Sequence, residues 1–154
     1  MNKKISSLFL IIFSLMITNV SSKENGINIV SNELNVDMDQ RTSTFTGDVY
    51  ANDENLKIWS EKMIIIFKTD KDEIKEILAS GNVKIIRLSK GSEIYGDIAN
   101  YFLEDEIIIV TGNVLVKENN NQVSGSKLTV DLKSSSSIMV GSDSNRVEAV
   151  IIDN

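Results

Sequence analysis

The sequence predicts an all-β chain, an antiparallel array of strands in one sheet that folds over on itself. Three observations predict it. First, Thr46-Gly47-Asp48-Val49, Ser80-Gly81-Asn82-Val83 and Thr111-Gly112-Asn113-Val114 repeat one short pattern at intervals of about thirty residues, and self-similarity at a fixed period marks a stacked architecture. Second, the stretches between them alternate apolar and polar residues with a period of two, the signature of strands. Third, the chain has no Pro, the residue that interrupts sheet ladders.

The elements follow in order. Ile27 to Asn32 opens the array, and Leu34, Val36 and Met38 share one side of the next stretch while Asn35 and Asp37 face the other way. Met63, Ile65 and Phe67 hold the same phase, as do Ala99, Tyr101 and Leu103, and then Leu128, Val130 and Leu132. The glycine copies agree: Phe45, Gly47 and Val49 line one side, as do Ala79, Gly81, Val83 and Ile85, and Val110, Gly112, Val114 and Val116. A Gly inside a strand pattern marks a bulge, a bend or a close backbone approach. Repeated in three strands, it predicts a column of bends along which the sheet turns a corner.

Turn signals separate the strands at Asp39-Gln40, Asn52 to Asn55, Thr69 to Glu73, Ser89 to Gly91, Glu104 to Glu106, Glu118 to Gln122 and Ser134 to Ser137. Asp72 to Leu78 has some helical spacing, but its place directly before Ala79-Ser80-Gly81 argues for strand. The final strand is expected over Arg146 to Ile152, and consecutive strands are expected to pair as hairpins.

The chain begins with Asn2-Lys3-Lys4 and an apolar run from Ile5 to Ile17, followed by a polar, small-residue exit to Ser22. That is the layout of a signal peptide, and the run falls short of the ~20 residues that span a bilayer comfortably. Residues 1–22 are therefore expected to be a cleaved export signal, with 23–154 as a single domain. Its removal takes away Lys3 and Lys4 and no acid, so the net charge moves from -6 to -8. An acidic chain is a poor partner for nucleic acid, which demands Lys and Arg against its phosphates. The absence of Cys and His removes disulfides, thiolate chemistry, the commonest general base and the commonest metal ligand. No cofactor, metal site or enzymatic activity is expected. The acidic clusters Asp70 to Glu73 and Glu104 to Glu106 lack the spacing of a calcium loop and read as solvated turns. Trp59, the single Trp, reads as a partly buried packing residue.

Ile27-Asn28-Ile29-Val30-Ser31-Asn32, Asp37-Met38, Phe45-Thr46-Gly47-Asp48-Val49, Val110-Thr111-Gly112-Asn113-Val114 and the closing Asn145-Arg146-Val147 together resemble the OstA-like family of periplasmic lipopolysaccharide-transport proteins. The resemblance runs from about Ile27 to Ile152. It implies a β-jellyroll of antiparallel strands folded into a V, the β-taco, with an apolar groove that carries lipid A acyl chains. It implies a periplasmic protein that stacks end to end into a bridge between the inner and outer membranes. Its partners would be lipopolysaccharide, further copies of itself, and same-fold domains of inner-membrane and outer-membrane transport proteins. Acyl chains in water gain roughly 0.8 kcal/mol per buried methylene, so an open apolar trough is a sufficient carrier.

Tyr101 and Leu103 match the family at the lining, and Ile27 and Ile29 match its first strand at the groove edge. By phase the lining extends to Leu34, Val36, Met38, Phe45, Val49, Met63, Ile65, Phe67, Val83, Ile85, Val114, Val116, Leu128 and Val130. An open array leaves two exposed edges that invite pairing with another chain. Ile27 and Ile29 at the first edge, with Val147, Val150 and Ile152 at the last, are the expected end-to-end contacts. Two alternatives remain beside this reading. One is an LptC-like component of the same pathway that keeps its N-terminal segment as an inner-membrane anchor. The other is a structural or adhesive surface array that binds no lipid, its stripe being ordinary sheet core.

Overall fold

Alternation with a period of two gives each strand one apolar face, and ten strands share that face in a single sheet. The structure, a computed structural model, describes residues 26–152. The expected signal segment, the start of the expected domain (23–25) and residues 153–154 lie outside the described residues. The strands are β1 (Asn28–Val30), β2 (Glu33–Asp37), β3 (Thr42–Asn52), β4 (Leu56–Phe67), β5 (Ile74–Arg87), β6 (Ser92–Phe102), β7 (Ile107–Glu118), β8 (Asn121–Asp131), β9 (Ser136–Val140) and β10 (Glu148–Val150). All pair antiparallel. Strands β3 to β8 follow sequence order, with β1 and β2 both on β3 and β9 and β10 both on β8.

The glycine column is the crease. Between Thr46 and Val49, Ser80 and Val83, and Thr111 and Val114, the register slips, because two residues of the odd-numbered strand face one of its neighbour. Each slip is a β-bulge that bends the strand. Gly81 takes φ 81° and Asn82 φ 47°, and the other two copies repeat these values closely. A Cβ on Gly81 would lie 2.6 Å from a carboxylate oxygen of Glu61, so only Gly fits there. The following residue closes the bulge from the side. Asn82 donates its amide to Glu61, Asn113 to Asp97 at 2.9 Å, and Asn32 to Asp48 at 3.5 Å. The recurring Gly-Asn or Gly-Asp pair is thus a backbone bend plus a polar latch. On β6 the crease falls at Gly96, where a Cβ would collide with Val110; the close approach there is between the two arms.

The crease divides the sheet into two arms whose apolar faces meet. Across the first arm, one row runs Leu34, Phe45, Met63, Ala79, Ala99, Val110, Leu128 and Met139. Across the second it runs Ile29, Ala51, Ile58, Ile85, Ile94, Val116, Val123 and Ala149. Buried residues of both arms form one core cluster. Where Ala51, Leu56 and Ile58 face Ile77 and Tyr101, only about 10 Å³ of free space remains. The edges β1–β2 and β9–β10 do not pair with each other, so the sheet stays open.

The two edges correct the sequence reading in detail. Ser134 to Ser137 was expected as turn and Arg146 to Ile152 as one strand. Instead, the last strand-length segment is split: β9 begins at Ser136, and β10 covers only Glu148–Val150. Ser142 and Asn145 bridge the break through paired backbone hydrogen bonds. The break falls at Gly141, level with the crease, where an inserted loop replaces the bulge. The first edge bends similarly at Ser31-Asn32, where the Asn32 amide donates to the Gly47 carbonyl.

Candidate functional site: the concave face and its openings

The concave face gathers all the residues that the phase assigned to the lining, but at very different depths. Val49, Met63, Ile65, Val83, Ile85, Val114, Leu128 and Val130 are buried in the core between the arms. Ile27, Ile29, Phe45, Phe67, Tyr101, Leu103 and Val116 are half-buried against it. Leu34, Val36 and Met38 stand on the same face yet are 54%, 54% and 81% exposed. Strand β2 is an edge with no further strand to cover it, so its apolar row lies bare.

Two regions of free space open onto this face. At the β2 end a cavity of about 260 Å³ is lined by Val36, Met38, Thr42 and Phe67, with Arg41 and Asp72 at its rim. The Arg41 guanidinium bridges that rim, meeting the Asp72 carboxylate at 3.0 Å and donating to the Lys68 and Lys71 carbonyls. The second region is the mouth of the V, where turns of one arm face turns of the other. One cavity there, about 320 Å³, lies between Asn55, Leu56, Arg87 and Ser89 on one arm and Tyr101, Leu103, Glu106, Leu132 and Ser135 on the other. A shallower one of about 650 Å³ continues it past Ile27, Ile74 and Leu103.

Charge is concentrated on the rims. Lys68 contacts Glu73 at 3.0 Å and Glu104 at 3.3 Å. Those hydrogen bonds hold its ammonium above the ordinary lysine value, and the Lys68 bond draws Glu73 below the ordinary carboxylate value. Within the acidic clusters, Asp72, Glu73 and Glu104 are therefore turn residues paired with cations. Tyr101 is pushed above the ordinary tyrosine value, first by burial and then by Asp53 and Glu106. A neutral phenol at the mouth suits an apolar lining.

The convex face carries a different assembly. Trp59 is half-buried beside Tyr50, ring centroids 5.0 Å apart, and Lys84 lies 5.7 Å from its ring. Lys84 and Lys117 both approach the Tyr95 ring, and Lys84 meets Glu93 at 3.2 Å. These are cross-strand packing contacts, in keeping with the packing role expected of Trp59.

At the edges, Ile27 and Ile29 pack inward while Val147, Val150 and Ile152 are exposed. Val150 pairs with Gln122, one position out of phase with the concave row that ends at Ala149, so it faces the convex side. One residue of the site escaped the sequence reading. Arg87 continues the phase of Val83 and Ile85 and therefore points inward, with only 7% of its surface exposed. The alternation itself held that signal, hidden because the residue is charged.

A family model described as LptA/(LptD N-terminal domain) LPS transport protein matches residues 28–136. The lipopolysaccharide export system protein LptA of Haemophilus influenzae is 28% identical over 131 residues, covering 82% of this chain and 76% of that protein. An uncharacterized protein of Rickettsia prowazekii is 28% identical over 132 residues, covering 80% of this chain and 91% of its own. Among solved structures, the fold is shared with LptH, described as the LptA-homologous periplasmic component of the lipopolysaccharide transport device of Pseudomonas aeruginosa. The TM-score is 0.75 at 15% identity, over 86% of this chain and 99% of that one.

Proposed function

This chain belongs to the LptA/(LptD N-terminal domain) family of LPS transport proteins, and from that premise we propose that it carries the acyl chains of lipopolysaccharide on its concave face. It is a non-enzymatic, periplasmic component of lipopolysaccharide export, exported by a cleaved N-terminal signal. It joins end to end with other copies, or with same-fold domains at the two membranes, so that concave faces align into one path. The observation that carries this reading is the apolar row that leaves the core and continues uncovered onto β2 and the turn after it, where Leu34, Val36 and then Met38 face the groove but touch no covering strand.

Physically, an exposed row of this kind is unfavourable in isolation, and fully burying such a side chain gains about 1.5–3 kcal/mol. Acyl chains, or the end of a second copy, supply that cover. The row is also unselective: it offers no polar group to fix an acyl chain in place, so a chain can slide along it. The rim charges stay outside, where a sugar-phosphate head remains in water.

Photo-crosslinking in growing cells tests the reading. Probes at Leu34 and Val36 are expected to give lipopolysaccharide adducts, and a probe at Asn35, on the opposite face of the same strand, none. Adducts at none of the three positions in a folded, exported protein would return the row to a purely structural role.

A further inference from the structure

We infer that Arg87 is the anion-binding group at the mouth of the groove, taking a phosphate carried on the lipid whose chains lie between the arms; this rests on the lipid-carrying reading above. The guanidinium belongs to a residue more than nine-tenths buried, and it borders the 320 Å³ mouth cavity. None of the ion pairs among the described residues includes it, and its Nε has no hydrogen-bond partner. Directly opposite in the register stands Ser92, whose buried Oγ is likewise without a partner. A buried cation left unpaired is strongly unfavourable, and buried polar groups without partners are rare enough to require a reason. A ligand in the cavity that pairs with the guanidinium supplies one for Arg87.

The chemistry of the cavity narrows the ligand. A guanidinium is a planar fork that stays charged at any working pH and matches phosphate oxygens in pairs. Around it the cavity adds the small polar side chains of Asn55, Ser89 and Ser135, each with a donor to offer. Lys90, on the same rim, already reaches the Ser135 carbonyl across the mouth at 3.4 Å. Several donors around one cation suit an anion with three or more acceptor oxygens. On the other wall Leu103 and Leu132 stand beside Tyr101, Glu106 and Ser135, a mixed lining that suits an amphiphile bearing the phosphate better than free phosphate. Glu106 also borders the cavity, and its charge opposes anion binding.

Equilibrium binding of purified lipid A to the exported protein tests this, with dephosphorylated lipid A and inorganic phosphate as the other probes. Arg87→Gln is expected to weaken binding of phosphorylated lipid A about tenfold or more, the scale of a lost charged hydrogen bond. It is expected to leave dephosphorylated lipid A unchanged and the thermal midpoint no lower than in the parent. Glu106→Gln is expected to tighten binding of the phosphorylated form. Equal binding of both lipids by the parent, an equal loss for both in Arg87→Gln, or inorganic phosphate competing as tightly as the lipid would each overturn the assignment. A fall in thermal midpoint with binding intact would show Arg87 to be a strut between the arms. If neither form of lipid A binds the parent protein, the lipid-carrying reading itself falls.

Discussion

Met63 and Leu34 occupy one row of the concave face, two strands apart and in the same phase, yet Met63 is 0% exposed and Leu34 54%. The difference is topological. Met63 sits on β4, flanked by strands on both sides and covered by the second arm, whereas Leu34 sits on an edge where both sheet and cover end. The central part of the row holds the fold together; the edge part is free for a ligand or a partner. An apolar side chain of the same phase therefore serves stability in one place and is free for function about 10 Å away.

The largest effect should come from the central row. Met63→Ala removes a fully buried side chain and is expected to destabilise the domain by about 2–5 kcal/mol, read by denaturant unfolding. Leu34→Ser and Val36→Ser should change unfolding by no more than about 0.5 kcal/mol while sharply reducing lipopolysaccharide adducts. Comparable destabilisation by the two groups would erase the distinction between centre and edge.

The crease comes next. Gly81→Val forces a β-branched residue to φ 81° against Glu61, which should cost about 1–3 kcal/mol. Both arms lose their alignment together. Unchanged stability would mean that the bulge is not the element setting the bend.

Edge association should respond without a change in unfolding. Val150→Lys places a charge on the exposed last strand, a device by which edges resist pairing. Self-association measured by sedimentation against concentration is expected to weaken while the melting curve stays put. A variant that associates as strongly as the parent would place the contact elsewhere.

Titration should give the smallest shifts. Tyr101 has its folded value raised by burial, so its contribution is fully present below the ordinary tyrosine value of 10.0 and is lost as the pH rises through the higher folded value. Unfolding followed from pH 9 to about 12 should therefore show an alkaline loss that Tyr101→Phe reduces. Glu73 and Glu93 have lowered values; their contributions are present above the ordinary carboxylate value of 4.5 and fade as the pH falls through the lower folded values. The side chains of Glu73 and Glu93 are 56% and 35% exposed, so that loss should be slight and screened by salt.

The same comparison explains what the sequence revealed. Period-two alternation and the three glycine copies were enough for the all-β class, the single sheet and the crease, because each is a local consequence of backbone geometry. Depth was not legible. Leu34, Val36 and Met38 carry the same pattern as Met63, Ile65 and Phe67, and only the strand order tells which row has neighbours on both sides. Strand β9 was missed because the Ser134 to Ser137 run, of which Ser134 and Ser135 are turn, looks like a loop throughout. Yet Met139-Val140-Gly141 is a degenerate fourth copy of the glycine pattern, and it marks β9 just before the crease. Arg87 was missed for a different reason: a rule that seeks apolar residues at inward positions passes over a charge placed there.

Cysteine labelling is the most direct measurement, because the chain contains no Cys of its own. Val36→Cys and Met63→Cys would each be treated with a maleimide, with and without lipopolysaccharide. Rapid labelling at position 36 that lipopolysaccharide suppresses, beside negligible labelling at position 63, is the predicted result. Labelling at position 36 that is the same with and without lipopolysaccharide would contradict the claim that the uncovered edge of the row is where the lipid lies.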